Sequence, residues 1–190
     1  MSNERVQCVA DRTIDVLVLG LGNVLLGDDG LGAAAVARLE GEYRVPPGVY
    51  VADGGTLGLS LLGLLTDAEH VILVDAVRAD ASPGTLVRLD GEDVGDAVRD
   101  RLSPHQVGVA DLLDAARLID RYPATVTLLG LVPDAIELAV VRSAAVDDKL
   151  DDLVAAIVRE VQILGYKMVR RPEAAGGHRP IHNLTRHFGM

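Results

Sequence analysis

The chain has 190 residues, 49% of them hydrophobic, which is enough for one well-filled core and too few for two. A formal net charge of −10 argues against a nucleic-acid surface, because phosphate binding needs a basic face. No apolar run reaches the roughly eighteen residues of a membrane span, the N-terminal "MSNERVQCVADRTID" has no apolar signal core, and the single cysteine, Cys8, permits no internal disulfide. A cytoplasmic protein is expected.

Residues 1–13 read as a polar leader. Ile14–Leu19 is nearly continuous apolar sequence, followed by Gly20 and Gly22 and then by an Ala-rich helical pattern over Gly30–Tyr43. Further apolar runs follow at Val49–Ala52, His70–Val77, Gly84–Leu89 and Thr125–Val132. Runs without polar alternation predict strands buried on both faces. Helical patterns lie between and after them, at Leu57–Ala68, Ser103–Asp120 and Ala144–Gly165. Strands alternating with helices predict a three-layer α/β/α fold, a twisted and mostly parallel sheet of about five strands, over residues 14–166. Gly84–Leu89 is expected as an antiparallel edge, since the link from Val77 is too short for a helix. Beyond Tyr166 five Lys or Arg face a single acid, so 167–190 read as a basic, flexible tail. Three histidines lie there, His178, His182 and His187, but Pro180 opposes the helix that would align the first two as metal ligands.

The glycine turn in "VLVLGLGNVLLGDDGLGAAAVARL" (Val16–Leu39) does not complete a dinucleotide fingerprint, because Leu25 occupies the place of the packing glycine. It is no P-loop either: Asp28 and Asp29 would repel a phosphate. One of these aspartates is expected to cap the helix beginning near Gly30. The other stands where α/β proteins present ligand groups, at the end of a central strand. Asp75 ends the apolar run "VILVD" at the same edge. Ser103 and Pro104 make a good helix start and put His105 in the first turn, where the helix dipole favours a neutral imidazole. Two carboxylates and an imidazole would suit Zn²⁺, Ni²⁺ or Mn²⁺.

Taken in order, "GLGNVLLGDDGLG", "DGGTLG" (Asp53–Gly58), "VDAV" and "SPHQVG" resemble the hydrogenase maturation endopeptidases, over roughly Asp15 to Gly165. The resemblance implies metal ligands at Asp29, Asp75 and His105, the same residues serving catalysis. It implies a peptidase that recognises nickel already inserted in a nickel–iron hydrogenase large-subunit precursor and then cuts off a C-terminal extension. Nickel would come from the substrate's own metal centre, and other divalent ions can occupy such a site. The family is commonly placed with aspartic-type peptidases, although the Asp-Thr-Gly pair of pepsin-like enzymes is absent here.

The residues themselves offer no credible protein nucleophile: Cys8 lies in the leader, and Ser103 and His105 are two apart at a helix start, where side chains diverge. Water activated by a carboxylate or a metal is the remaining route. "DGGTLG" reads as a turn, with Asp53 accepting backbone hydrogen bonds and Thr56 capping a helix. By resemblance it is a substrate loop, in which Asp53, Gly54, Gly55 and Thr56 meet the precursor backbone. The rivals are a hydrolase holding its own Zn²⁺ or Mn²⁺ at the same residues, and a non-catalytic checkpoint that binds nickel-loaded precursor. A monomer is expected.

Overall fold

The structure is a computed structural model that describes residues 12–91, 93–95 and 104–172, with the backbone alone for 104–107. Its main sheet has five strands: β1 (Ile14–Leu21), β3 (Val49–Gly55), β4 (Ala68–Ala76), β5 (Leu86–Asp90) and β6 (Thr125–Leu131). Their order across the sheet is β3-β1-β4-β6-β5, parallel except for β5, which pairs antiparallel with β6 at the edge. A second, two-stranded ladder joins β2 (Tyr43–Arg44) to β7 (Val169–Arg170). Among the described residues the helices include α1 (Leu31–Glu42), α2 (Leu62–Thr66), α3 (Pro104–Leu118), α4 (Ala144–Asp147) and α5 (Leu150–Ile163).

The expected three layers follow from alternation along the central strands. Val16, Val18, Ile72 and Val74 face one side, where Leu31, Ala35 and Leu39 of α1 and Leu153, Ile157 and Val161 of α5 cover them. Leu17, Leu19, Val71 and Leu73 face the other, under Leu65 of α2 and Leu112, Leu113 and Ala116 of α3. Both faces are apolar and both are covered, so these strands read as unbroken runs.

The structure differs from the sequence expectation at several places. The pattern at Leu57–Ala68 forms a 3₁₀ turn, Gly58–Leu61, and only then the short α2, because Gly58 takes a positive φ of 51° at its start. The expected helix over Ala144–Gly165 is two, broken at Asp148 and Lys149, where Lys149 (φ −104°, ψ 0°) leaves ideal helical geometry. The fold also runs past the expected boundary at 166. Met168 is buried in the core beside α1 and α5, and Val169 and Arg170 pair with Arg44 and Tyr43. Charge composition misplaced that boundary, because one methionine and a two-residue ladder hold down an otherwise basic stretch. At the other end Arg12, placed in the leader, donates from its guanidinium to the carbonyls of Ala68 (2.6 Å) and Tyr122 (2.7 Å). Cys8, Ser103 and the three tail histidines lie outside the described residues.

Candidate active site

The neighbouring strands β1 and β4 send the chain in opposite directions, toward β3 and toward β6, and the crevice outside their carboxyl ends is where open α/β sheets bind ligands. Both candidate aspartates stand at this switch point. The register pairs Gly20 with Val74, which puts Asp75 beside the end of β1. Gly130 of β6 lies opposite Asp75, and a Cβ there would collide with the Asp75 carbonyl.

Glycines set how closely the first loop approaches. A Cβ on Gly32 would drive into the backbone of Leu21 and the carbonyl of Val74, so only glycine lets α1 start this tightly across both strands. This is the close-packing glycine that the fingerprint would have placed at position 25. The consequence reaches the 3₁₀ turn Asp28–Gly30, just before α1, which lies against β4. Gly22 (φ 115°) in turn lies flush against the Asp29 backbone.

The two adjacent aspartates are both buried and do different things. Asp29 is fully buried, and its Oδ2 accepts the Asn23 backbone N–H at 2.7 Å. Asp28 does not cap α1. Its Oδ1 accepts the Ser143 N–H (2.7 Å), and its Oδ2 accepts the Asp134 N–H (2.9 Å), the Ala135 N–H (3.3 Å) and the Ser143 hydroxyl (2.9 Å). Burial pushes the Asp28 carboxyl up, yet these donors together outweigh it and hold it below its ordinary value. Backbone pairing adds to the tie, with Gly27 N–H donating to Ala139 O (2.7 Å) and Ala139 N–H to Leu25 O (3.0 Å). Asp75, also buried, has its Oδ1 held by the Ala76 N–H at 2.7 Å.

The "DGGTLG" loop joins the same edge through Gly22 N–H donating to Gly55 O at 3.0 Å. Asp53 makes the expected turn, its Oδ1 accepting the Gly55 N–H at 3.0 Å. Gly54 is buried against Leu19 and Leu61, and Gly55 has a positive φ of 47°. Thr56 does not cap a helix: it is exposed, and Leu57 precedes the 3₁₀ turn with no side-chain cap. Gly58 meets Gly108 of α3 with almost nothing between their backbones. His105 is one helical turn before Gly108, so the first turn of α3 lies at this edge, while the imidazole itself is outside the described set. Among the described residues no three His, Cys, Asp or Glu side chains gather to hold a metal. Sequence reasoning missed Asp28 as a tether and passed over the loop 133–143; an apolar "IELAVV" belonging to no expected strand or helix was the available signal.

A mostly parallel sheet covered on both faces, with acidic residues at its switch point, defines a three-layer α/β/α scaffold that presents polar groups at its carboxyl edge. A family model for hydrogenase maturation protease (HycI) matches residues 33–160, and the chain belongs to the hydrogenase maturation protease family. The hydrogenase 2 maturation protease of Escherichia coli is 37% identical over 147 residues, 75% of this chain and 90% of that one. The hydrogenase expression/formation protein HupD of Rhodobacter capsulatus is 38% identical over 157 residues, 82% of this chain and 75% of that one. Among solved structures, the E. coli hydrogenase maturating endopeptidase HybD superposes with a TM-score of 0.80 at 34% identity, covering 83% of this chain and 98% of that one. The [NiFe] hydrogenase maturation protease HybD of Thermococcus kodakarensis gives a TM-score of 0.65 at 28% identity, covering 77% and 99%. The chain is thus a hydrogenase maturation endopeptidase.

Proposed function

We propose that this protease removes the C-terminal extension of a nickel–iron hydrogenase large-subunit precursor after nickel insertion, with Asp29, Asp75 and His105 around the metal the precursor brings. The observation that supports it is the placement of two buried carboxylates, Asp29 and Asp75, at the carboxyl ends of adjacent strands at the switch point. Carboxylate oxygens and an imidazole nitrogen are donors that nickel accepts. Bound there, the metal supplies Lewis acidity toward the scissile carbonyl.

The protein groups do the rest. Asp29 or Asp75 takes the proton of the attacking water and returns it to the departing amine, as paired carboxylates do in an aspartic-type reaction. The Asn23 and Ala76 N–H groups fix one oxygen of each carboxylate, which leaves less reorganisation for the reaction itself. Gly54, Gly55 and Thr56 let a precursor backbone lie close, and Asp53 reads a polar group on it. The enzyme works in the cytoplasm as a monomer, with the precursor as its substrate.

Asp29→Asn, Asp75→Asn and His105→Ala test the assignment when cleavage of nickel-loaded precursor and melting temperature are measured on each. Cleavage is expected to fall at least about a hundredfold in all three with the fold retained. Full cleavage by any one of them removes that residue from the site.

A further inference from the structure

The loops after β1, β3 and β6 carry an apolar surface that the reaction chemistry does not use. Of the twelve large hydrophobic side chains exposed among the described residues, seven lie on these three loops, so the exposure is concentrated at the reaction edge and not scattered. The most exposed of the seven are in the loop after β6, Leu138 (86%), Val140 (79%) and Val141 (76%), with Val24 and Leu25 in the loop that pairs with it.

These residues are not on a loose strand. The loop after β6 is fastened by the four hydrogen bonds to Asp28 and by backbone pairing with residues 25–27. Fixing an apolar segment in water offers the isolated chain no burial, but it lowers the ordering cost of binding a partner. The run Ile136–Val141 holds one charge, Glu137, in a chain whose net charge is −10. Charge depletion with exposed aliphatic groups marks the centre of a protein interface. The fastening residue, Asp28, is the immediate neighbour of Asp29, so whatever sits on this rim is continuous with the edge where the proposed cleavage takes place.

We infer that the rim formed by Val24, Leu25, Leu138, Val140 and Val141 docks an apolar surface on the folded body of the hydrogenase precursor, apart from the segment that is cut. This rests on the precursor cleavage proposed above. Asp28 serves it as a positioning residue, holding the docking loop and the Asp29 turn as one unit, so that a docked precursor is registered against the carboxylates.

The test uses the full chain, wild type and Leu138→Asp/Val141→Asp, with purified nickel-loaded precursor. Both side chains are solvent-exposed, so the melting temperature of the double variant should stay within a few degrees of wild type, and measuring it excludes misfolding. KM for the precursor is expected to rise at least about tenfold with kcat little changed, and Leu138→Met/Val141→Ile should restore wild-type KM. If the wild type cuts the precursor and the Asp variant cuts it with the same KM, the docking rim is wrong and the cleavage reading stands. If the wild type does not cut it, the cleavage reading itself fails. Light scattering on the wild type completes the test: a dimer that the Asp substitutions dissociate, with KM unchanged, makes the rim a contact between two copies and overturns the inference.

Discussion

The loops after β1 and β3 leave neighbouring strands at one edge of the sheet and are held in opposite ways. The first puts Asp28 and Asp29 in full burial, with long-range hydrogen bonds from residues 134, 135 and 143 to Asp28 and glycine-tight packing on two strands. In the second, Asp53 and Thr56 are exposed, and Asp53 makes a local turn by accepting the Gly55 N–H. A group that must transfer a proton gains from being immobilised, since a small misplacement costs rate. A group that must accept a variable peptide gains from exposure and glycine freedom. Under the proposed function, the difference between the loops would separate chemistry from recognition.

The sharpest way to break that separation is to compare Asp29→Asn with Asp53→Ala on nickel-loaded precursor. The first should lower kcat at least about a hundredfold, and the second should raise KM several-fold with kcat within about twofold. A loss of kcat for Asp53→Ala equal to that of Asp29→Asn would merge the two roles.

Asp28→Ala probes the rigid loop alone. It strands the N–H groups of Asp134 and Ser143 and should cost about 3 kcal/mol, read as a fall in melting temperature of about 6–12 °C. The contribution is also pH-dependent. Because the folded carboxyl titrates below its ordinary value, its stabilisation is complete above about pH 4 and is lost as the pH falls below that through the folded value. Wild type and Asp28→Asn should therefore converge in stability on acidification, which urea titrations from pH 7 to pH 3 would follow.

A smaller loss, about 1–3 kcal/mol, is expected for Gly32→Ala, since the added methyl has only backbone to push against. It should lower cleavage more than its stability loss explains, by shifting the Asp29 turn relative to Asp75. The smallest stability effect should be that of Asp53→Ala, about 0.5–1.5 kcal/mol for one exposed turn hydrogen bond, measured by denaturant midpoint.

The same contrast explains what could be read from the sequence. Strands β1, β3, β4, β5 and β6 were legible as apolar runs, because burial on both faces removes polar alternation, and β5 was legible as an edge from the shortness of its link. Asp29 and Asp75 were legible as strand-end acids in positions where α/β folds present ligand groups. The role of Asp28 was not, because its partners are 106 to 115 residues further along the chain and helix capping is the usual local use of such an aspartate. Gly32 was missed because the search for a packing glycine followed the spacing of nucleotide-binding turns, and this loop is longer. Met168 was hidden in a basic stretch, where one buried side chain outweighs the charge pattern around it.

The most direct measurement compares apo precursor, nickel-loaded precursor and loaded precursor treated with chelator, each incubated with the pure protease and followed by mass spectrometry of the C-terminus. If Asp29, Asp75 and His105 gather around nickel carried by the substrate, only the loaded precursor should lose its extension, and metal removal should abolish the cut. Efficient cleavage of chelator-treated apo precursor would contradict nickel licensing and leave a protease that works through its carboxylates alone.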